Sequence, residues 1–333
     1  MWNEIFLRFA RRLGALSQGI PNQRRWDSRK KPIIGGIAFF IVCLGIAAWR
    51  PMDTQISRAF IAGSVIAFLT GLADDAYVSL PYVKLLGQLS AAGTAIILGS
   101  PLLTLPQMPV LSVLFTLFWY VAVMNAVNMM DNMDGVAGGI TAALLMTTFW
   151  LLPFGSHYFL YVGMIGALIA FLIHNFHPSR LYMGDNGSQF LGYLLGYWGT
   201  EVWHSPLLHT SSAWTKTLLL VTIFAILAGD TFWVSLMRLW SGRSPFHGGT
   251  DHLTHRLAQI GMSARRIPIL LTLGQLLLSG ASLWLIKVEV SEWVLIGLIG
   301  MVGSLIGTIH LYHLCQLAKK LEETPTVKPN IPA

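Results

Sequence analysis

Asn125, Asn128, Asp131 and Asp134 recur every three residues in the stretch NAVNMMDNMDGVAGG, directly after the apolar run 110–124. At the end of a helix, that spacing puts all four polar groups on roughly one face. Gly135, Gly138 and Gly139 follow, where the backbone can turn or approach a ligand closely. A chain this apolar tolerates carboxylates at a membrane boundary only for a reason. The stretch suggests a polar, phosphorylated ligand held with a metal ion.

Three other segments carry comparable chemistry. In GLADDAYVSLPYVKLLGQ, Asp74 and Asp75 are adjacent and Lys84 follows. Adjacent carboxylates repel, so one is readily kept protonated or drawn to a cation, which suits a metal-assisted base or nucleophile. In HNFHPSRLYMGDNGSQFLG, Asp185 sits between Gly184 and Gly187, where free backbone amides could line a phosphate, with Asn175, Arg180 and Tyr182 nearby. In SGRSPFHGGTDHLTHRLAQIGMSARR, His252 and His255 stand three apart beside Asp251 and Arg256. Zinc would need more ligands than this segment offers. Cationic contacts to phosphate from Arg243 and Arg256 fit better. Asp230 lies apart, inside an apolar run, and needs a partner helix or water.

Something must hold these groups together. Only 11% of the 333 residues are charged and 54% are hydrophobic, against about 25% charged in a soluble domain. The fold class expected is all-α: a polytopic integral membrane protein. Ten spans are expected, at 33–49, 57–73, 84–100, 109–127, 137–152, 157–174, 187–203, 214–237, 268–287 and 292–315. Residues 1–18 read as an amphipathic interfacial helix, with Trp2, Ile5, Phe6, Phe9, Leu13 and Leu16 at helical spacing. Thus 1–32 form a cytoplasmic helix and basic segment, 33–315 a transmembrane catalytic domain, and 316–333 a cytoplasmic, disordered tail. Cys43 and Cys315 both lie in apolar runs and read as packing residues.

With residue 32 inside, alternation of the spans places eighteen of the 22 Lys and Arg residues on the cytoplasmic side. All four polar segments then fall on that same face. The net charge of +7 is explained by this asymmetry and by anionic lipid; no basic stripe interleaved with aromatics points to nucleic acid. Carboxylates, amides and cations gathered at one membrane face suit magnesium and phosphoryl transfer, which needs charge neutralisation and alignment.

In this order, the segments PNQRR with PIIGG, GLADD with KLLGQ, NAVNMMDNMDGVAGG, NFHPSRLYMGDNGS, AGDT and SPFHGGTDHLTHRL resemble the polyprenyl-phosphate N-acetylhexosamine-1-phosphate transferase family. The resemblance covers residues 21–266. It implies transfer of a sugar-1-phosphate from a UDP-activated amino sugar to undecaprenyl phosphate, with release of UMP and with Mg2+ or Mn2+ as cofactor. It implies the bacterial inner membrane, a site facing the cytoplasm, and the first membrane step of an envelope polysaccharide such as O-antigen; it permits a homodimer. By motif match, Asp185 is the principal metal ligand, and Asp74 and Asp75 are the catalytic carboxylates. Asn128, Asp131, Asp134, Asn175 and Tyr182 match positions around the metal and uridine. His252, His255 and Arg256 match the motif that holds phosphate or sugar, and Lys84 matches a supporting lysine.

Two departures stand out. The peptidoglycan branch of the family carries three consecutive histidines in the last loop, whereas this chain reads His252-Leu-Thr-His255-Arg256, which points to the N-acetylhexosamine branch. Relatives also have a span before the PNQRR-like segment, where only the amphipathic stretch stands here. The alternative class, a transporter with an acidic cation site, would place its polar residues near the midplane; here only Asp230 lies deep.

Overall fold

The computed structural model describes residues 31–49, 54–77, 79–99, 102–155, 157–209, 211–244, 249–287 and 292–323. The expected amphipathic helix over 1–18, most of the basic segment and the end of the tail lie outside these residues. The described chain is helical: α1 (Gly35–Trp49), α2 (Thr54–Tyr77), α3 (Pro81–Ile97), α4 (Pro109–Met130), α5 (Val136–Met146), α6 (Thr148–Leu151), α7 (Tyr158–Asn175), α8 (Gly184–Trp203), α9 (Ala213–Ile223), α10 (Ala225–Trp240), α11 (Leu253–Gln259), α12 (Arg266–Lys287) and α13 (Glu292–Glu323). The last helix continues to Glu323, into the range 316–333 expected as tail.

The bundle is built around α8. Every residue of this helix except Asp185 and Glu201 is buried, and α1, α2 and α4 pack along it. Small residues make that approach possible: a Cβ on Gly192 would lie 2.6 Å from Met124 Cα, and one on Gly187 2.9 Å from Gly36 Cα. Without a hydrophobic drive between helices in lipid, close backbone packing of this kind is what holds them. Trp119 Nε1 donates to Gly196 O at 2.9 Å, tying α4 to the middle of α8. At the far end of α8, Glu201 accepts from Tyr161 and pairs with His157, anchoring α7 and its approach. Cys43 is buried in the core, as its apolar context suggests.

Among the described residues, five helices are long and apolar enough to cross a membrane: 58–77, Pro109–Met130, Tyr158–Asn175, Arg266–Lys287 and 294–311. A sixth is obtained if α9 and α10, bent by 82°, count as one broken span. The protein is therefore a multi-pass membrane protein, and the described residues show five or six such spans where ten were expected. The difference has particular causes. The expected span at 137–152 is split into α5 and α6, and α1 has only 15 residues. The 20-residue α8 is long enough but opens with the polar sequence GDNGSQ, because it is buried in protein and not in lipid.

Candidate active site

Four helix ends meet at the N-terminus of α8. Gly184 begins the helix with φ +76°, and a Cβ there would sit 2.2 Å from Ile33 Cγ2, so both its backbone and its surroundings require glycine. Asp185 follows, in the first turn, where an anion is favoured by the helix dipole.

The two adjacent aspartates at the end of α2 do different things. Asp75 accepts from the backbone of Asp185 and Asn186, each at 2.9 Å, and from Asn186 Nδ2 at 2.6 Å. It caps α8 across the interface, satisfying amides that the first helical turn leaves without partners. Asp74, 100° further back around α2, turns toward the open face. Its Oδ2 accepts from Lys84 Nζ at 2.8 Å and its Oδ1 from Ser79 N at 2.7 Å. Both were expected as catalytic carboxylates; the structure sets Asp75 against the Asp185 turn and Asp74 beside Lys84.

Lys84, expected to be a supporting residue, stands at the centre. Its ammonium donates to Asp74, to Asp185 Oδ2 at 2.8 Å and to Asn128 Oδ1 at 3.0 Å. Asn128, at the end of α4, also donates to Asp185 Oδ1 at 3.1 Å and to Ser188 Oγ at 2.8 Å. The side chains of Asp74, Lys84 and Asp185 keep 13%, 17% and 29% of their surface exposed, so the cluster is walled but reachable. Ser188 was not singled out by sequence reading; its place in the GDNGS turn was the available signal.

No group of three or more His, Cys, Asp or Glu among the described residues is arranged to hold a metal. The cluster instead offers two carboxylates and an amide oxygen converging on one cationic point. That donor chemistry fits magnesium or manganese, which take oxygen ligands and use one or two protein carboxylates beside substrate phosphates.

The next polar layer braces loops. Asp134 accepts from Ser179 Oγ at 2.8 Å, from Ser179 N at 3.1 Å and from His177 Nδ1. Asn175 Oδ1 accepts from Gly135 N at 2.8 Å, and its amide donates to Leu181 O at 2.9 Å. Both were expected around the ligand; both are buried and join the 131–135 turn to the 176–183 loop. Tyr182 pairs its backbone with Pro32 and Gly35, and Lys31 covers its ring at 4.9 Å from the centroid. Asp131 is the half-buried residue that ends α4.

The basic segment is folded onto the same end of the molecule. Thr254 Oγ1 donates to Asn132 Oδ1 at 2.6 Å, docking α11 on the 131–135 turn. Asp230 finds its partners here: Oδ2 meets His252 Nδ1 at 2.8 Å and Oδ1 accepts from Leu253 N at 2.6 Å. Asp251 is bound bidentately by Arg238, at 2.9 and 2.6 Å. Burial raises the Asp251 carboxyl, but the Arg238 hydrogen bonds and charge outweigh it and hold the pKa down to about 2. Burial, with the neighbouring His252, pushes His255 down to about 4. His252, expected on phosphate or sugar, meets Asp230 at the start of α11. His255 is buried, and Arg256 is half-buried with its Nε free of a partner among the described residues.

The model of glycosyl transferase family 4 matches residues 57–202, the part of the chain that carries this cluster. The chain is 29% identical over 306 residues to "Probable undecaprenyl-phosphate N-acetylglucosaminyl 1-phosphate transferase" of Bacillus subtilis, covering 84% of this chain and 82% of that protein. It is 31% identical over 302 residues to the decaprenyl-phosphate N-acetylglucosaminephosphotransferase of Mycobacterium tuberculosis, covering 79% and 74%. It is 26% identical over 304 residues to the undecaprenyl-phosphate alpha-N-acetylglucosaminyl 1-phosphate transferase of Escherichia coli, covering 84% and 80%.

Proposed function

The chain belongs to glycosyl transferase family 4, and from that premise we propose that it moves an N-acetylhexosamine-1-phosphate from a UDP-sugar to undecaprenyl phosphate at the cytoplasmic face of a bacterial inner membrane. The observation that carries the reading is the convergence of Asp74, Asp185 and Asn128 on Lys84 where apolar helices end. A soluble donor and a lipid-anchored acceptor can meet only at such a boundary. A transport role has no support among the named relatives, and the polar groups gather at helix ends, not at the midplane.

In the proposed reaction an oxygen of the acceptor phosphate attacks the sugar-bearing phosphorus of the donor. One P–O bond forms, the bond from that phosphorus to the bridging oxygen breaks, and UMP leaves with the electron pair. A phosphate monoester, with a second pKa of about 6, is already mostly dianionic near neutrality, so little base strength is required. Asp74, on the open side of the cluster, takes the remaining proton. Asp185, with Asn128 beside it, would hold Mg2+, whose contribution is to neutralise the pyrophosphate charge. Lys84 offsets the two carboxylates and lends a donor to the phosphates. Arg243 and Arg256 extend positive charge from the basic loop toward the donor.

The test uses purified protein in detergent with undecaprenyl phosphate, a panel of UDP-N-acetylhexosamines and Mg2+ or EDTA. UMP release that requires lipid phosphate, one of the sugars and the metal is expected. UMP release without the lipid, or none with any donor from folded protein, overturns the reading.

A further inference from the structure

One helical turn deeper than Lys84, Asn128 and Asp185, the same three helices carry Gln88, Asn125 and Gln189. These amides are in contact. Gln88 Nε2 donates to Asn125 Oδ1 at 3.3 Å, and Asn125 Nδ2 returns a bond to Gln88 Oε1 at 2.9 Å, so the two amides pair reciprocally. Gln88 Nε2 also donates to Gln189 Oε1 at 3.0 Å. Gln88 and Gln189 are buried to 1% and 0% exposure. Among the described residues, none of the three hydrogen-bonds to Lys84, Asn128 or Asp185, and none carries charge. The proposed reaction leaves them without a role.

Apolar and glycine-mediated packing between α3, α4 and α8 attracts the helices but discriminates weakly between neighbouring registers. A slip of one residue moves a side chain by 1.5 Å along the axis and 100° around it. That slip would separate the amide pair and leave the buried Gln88 without its partners. A single buried amide pair fixes register in coiled coils by the same logic. The offset is also right: each amide lies three or four residues from a member of the site on its own helix, so fixing one layer fixes the other.

We propose that Gln88, Asn125 and Gln189 form a positioning layer that sets the register of α3 and α4 against α8, so that Lys84, Asn128 and Asp185 meet. Its turnover arm rests on the phosphotransfer reading; its distance arm does not. The experiment compares wild type, the triple variant Gln88→Leu/Asn125→Leu/Gln189→Leu, and the swapped pair Gln88→Asn/Asn125→Gln. Spin labels at the exposed positions Leu89 on α3 and Phe118 on α4 report the interhelical distance by pulsed electron resonance in nanodiscs. The triple variant removes the whole layer and leaves no lone polar group, so its Tm stays near wild type. Its distance distribution shifts or broadens, and kcat falls about a hundredfold, the scale expected for a misplacement near 1 Å, with the donor KM changing less than about threefold. The swapped pair keeps the reciprocal bond and recovers most of both. An unchanged distance distribution overturns the inference whatever turnover does, and so does a shifted distribution with kcat per folded molecule within about threefold of wild type. If the triple variant does not reach the membrane, Gln88→Leu alone is read by the same criteria. A wild type that releases no UMP while the distances shift as expected sinks the phosphotransfer reading and leaves the register assignment standing.

Discussion

Asp74 and Asp75 are identical in type and adjacent in sequence, yet they face different partners. Asp75 closes the first turn of α8, whereas Asp74 shares Lys84 with Asp185. Their variants should therefore separate two measurements. Asp75→Asn leaves one fewer acceptor for the α8 amides, so it lowers stability by about 1–2 kcal/mol and reduces turnover by displacing Asp185. Asp74→Asn leaves Lys84 paired to Asp185; it should hold Tm within a few degrees while UMP release falls by orders of magnitude. Thermal unfolding and turnover on the same preparations check this, and equal Tm losses in both variants would remove the division of labour. Sequence reading found the pair but could not divide it, because the partners of Asp75 lie more than a hundred positions away. Lys84 was undervalued for the same reason: two of its three partners lie on other helices far along the chain. Asp134 and Asn175 show the converse. Their type is suited to a ligand, and in the structure they also accept from Ser179 and Gly135, bonds that no spacing rule reveals.

The elements matter through how closely they approach one another. α2 reaches the N-terminus of α8 because residue 71, one turn before Asp75, is glycine. A Cβ there would stand 2.2 Å from Asp185 O and 2.5 Å from Asn186 Cα, both backbone atoms that cannot swing aside. Gly71→Ala should cost about 1–3 kcal/mol through overpacking and should also cost turnover, since it moves the Asp185 turn. Gly93 on α3 has nothing within 4 Å of its would-be Cβ, so Gly93→Ala should be neutral or stabilising by up to about 1 kcal/mol, the helix-propensity difference. Thermal melts of the two variants side by side check the contrast, and parallel behaviour would show that helix propensity, not the close approach, governs residue 71. The helical character of nearly every apolar run was legible from composition and length. The break in the 137–152 run and the 82° bend between α9 and α10 were not, because both depend on neighbours. At the bend, Gln275 on α12 donates to Ile223 O at 2.7 Å, satisfying a carbonyl at the break, and that partner is 52 residues away.

For the molecule as a whole, α8 gives a ruler. Asp185 opens it and Glu201, held by Tyr161 and His157, closes it; sixteen residues of helix separate them by about 24 Å, close to the roughly 30 Å hydrocarbon thickness of a bilayer. We therefore expect the two polar ends at opposite membrane faces. Gly155, exposed and just before His157, belongs to the Glu201 end. Ser241, exposed after α10, belongs to the Asp185 end, because Arg238 binds Asp251 and the α11 that follows docks on Asn132. On the distribution of lysine and arginine along the sequence, the Asp185 end is expected to face the cytoplasm. In a background with Cys43→Ala and Cys315→Ala, a cysteine at 155 should react with an impermeant maleimide in intact cells, and a cysteine at 241 only after the membrane is opened. Reaction of both from the same side would break the antipodal arrangement of α8. Clean labelling in the reversed sense would keep that arrangement but put the carboxylate cluster outside, where no cytosolic sugar nucleotide could reach it.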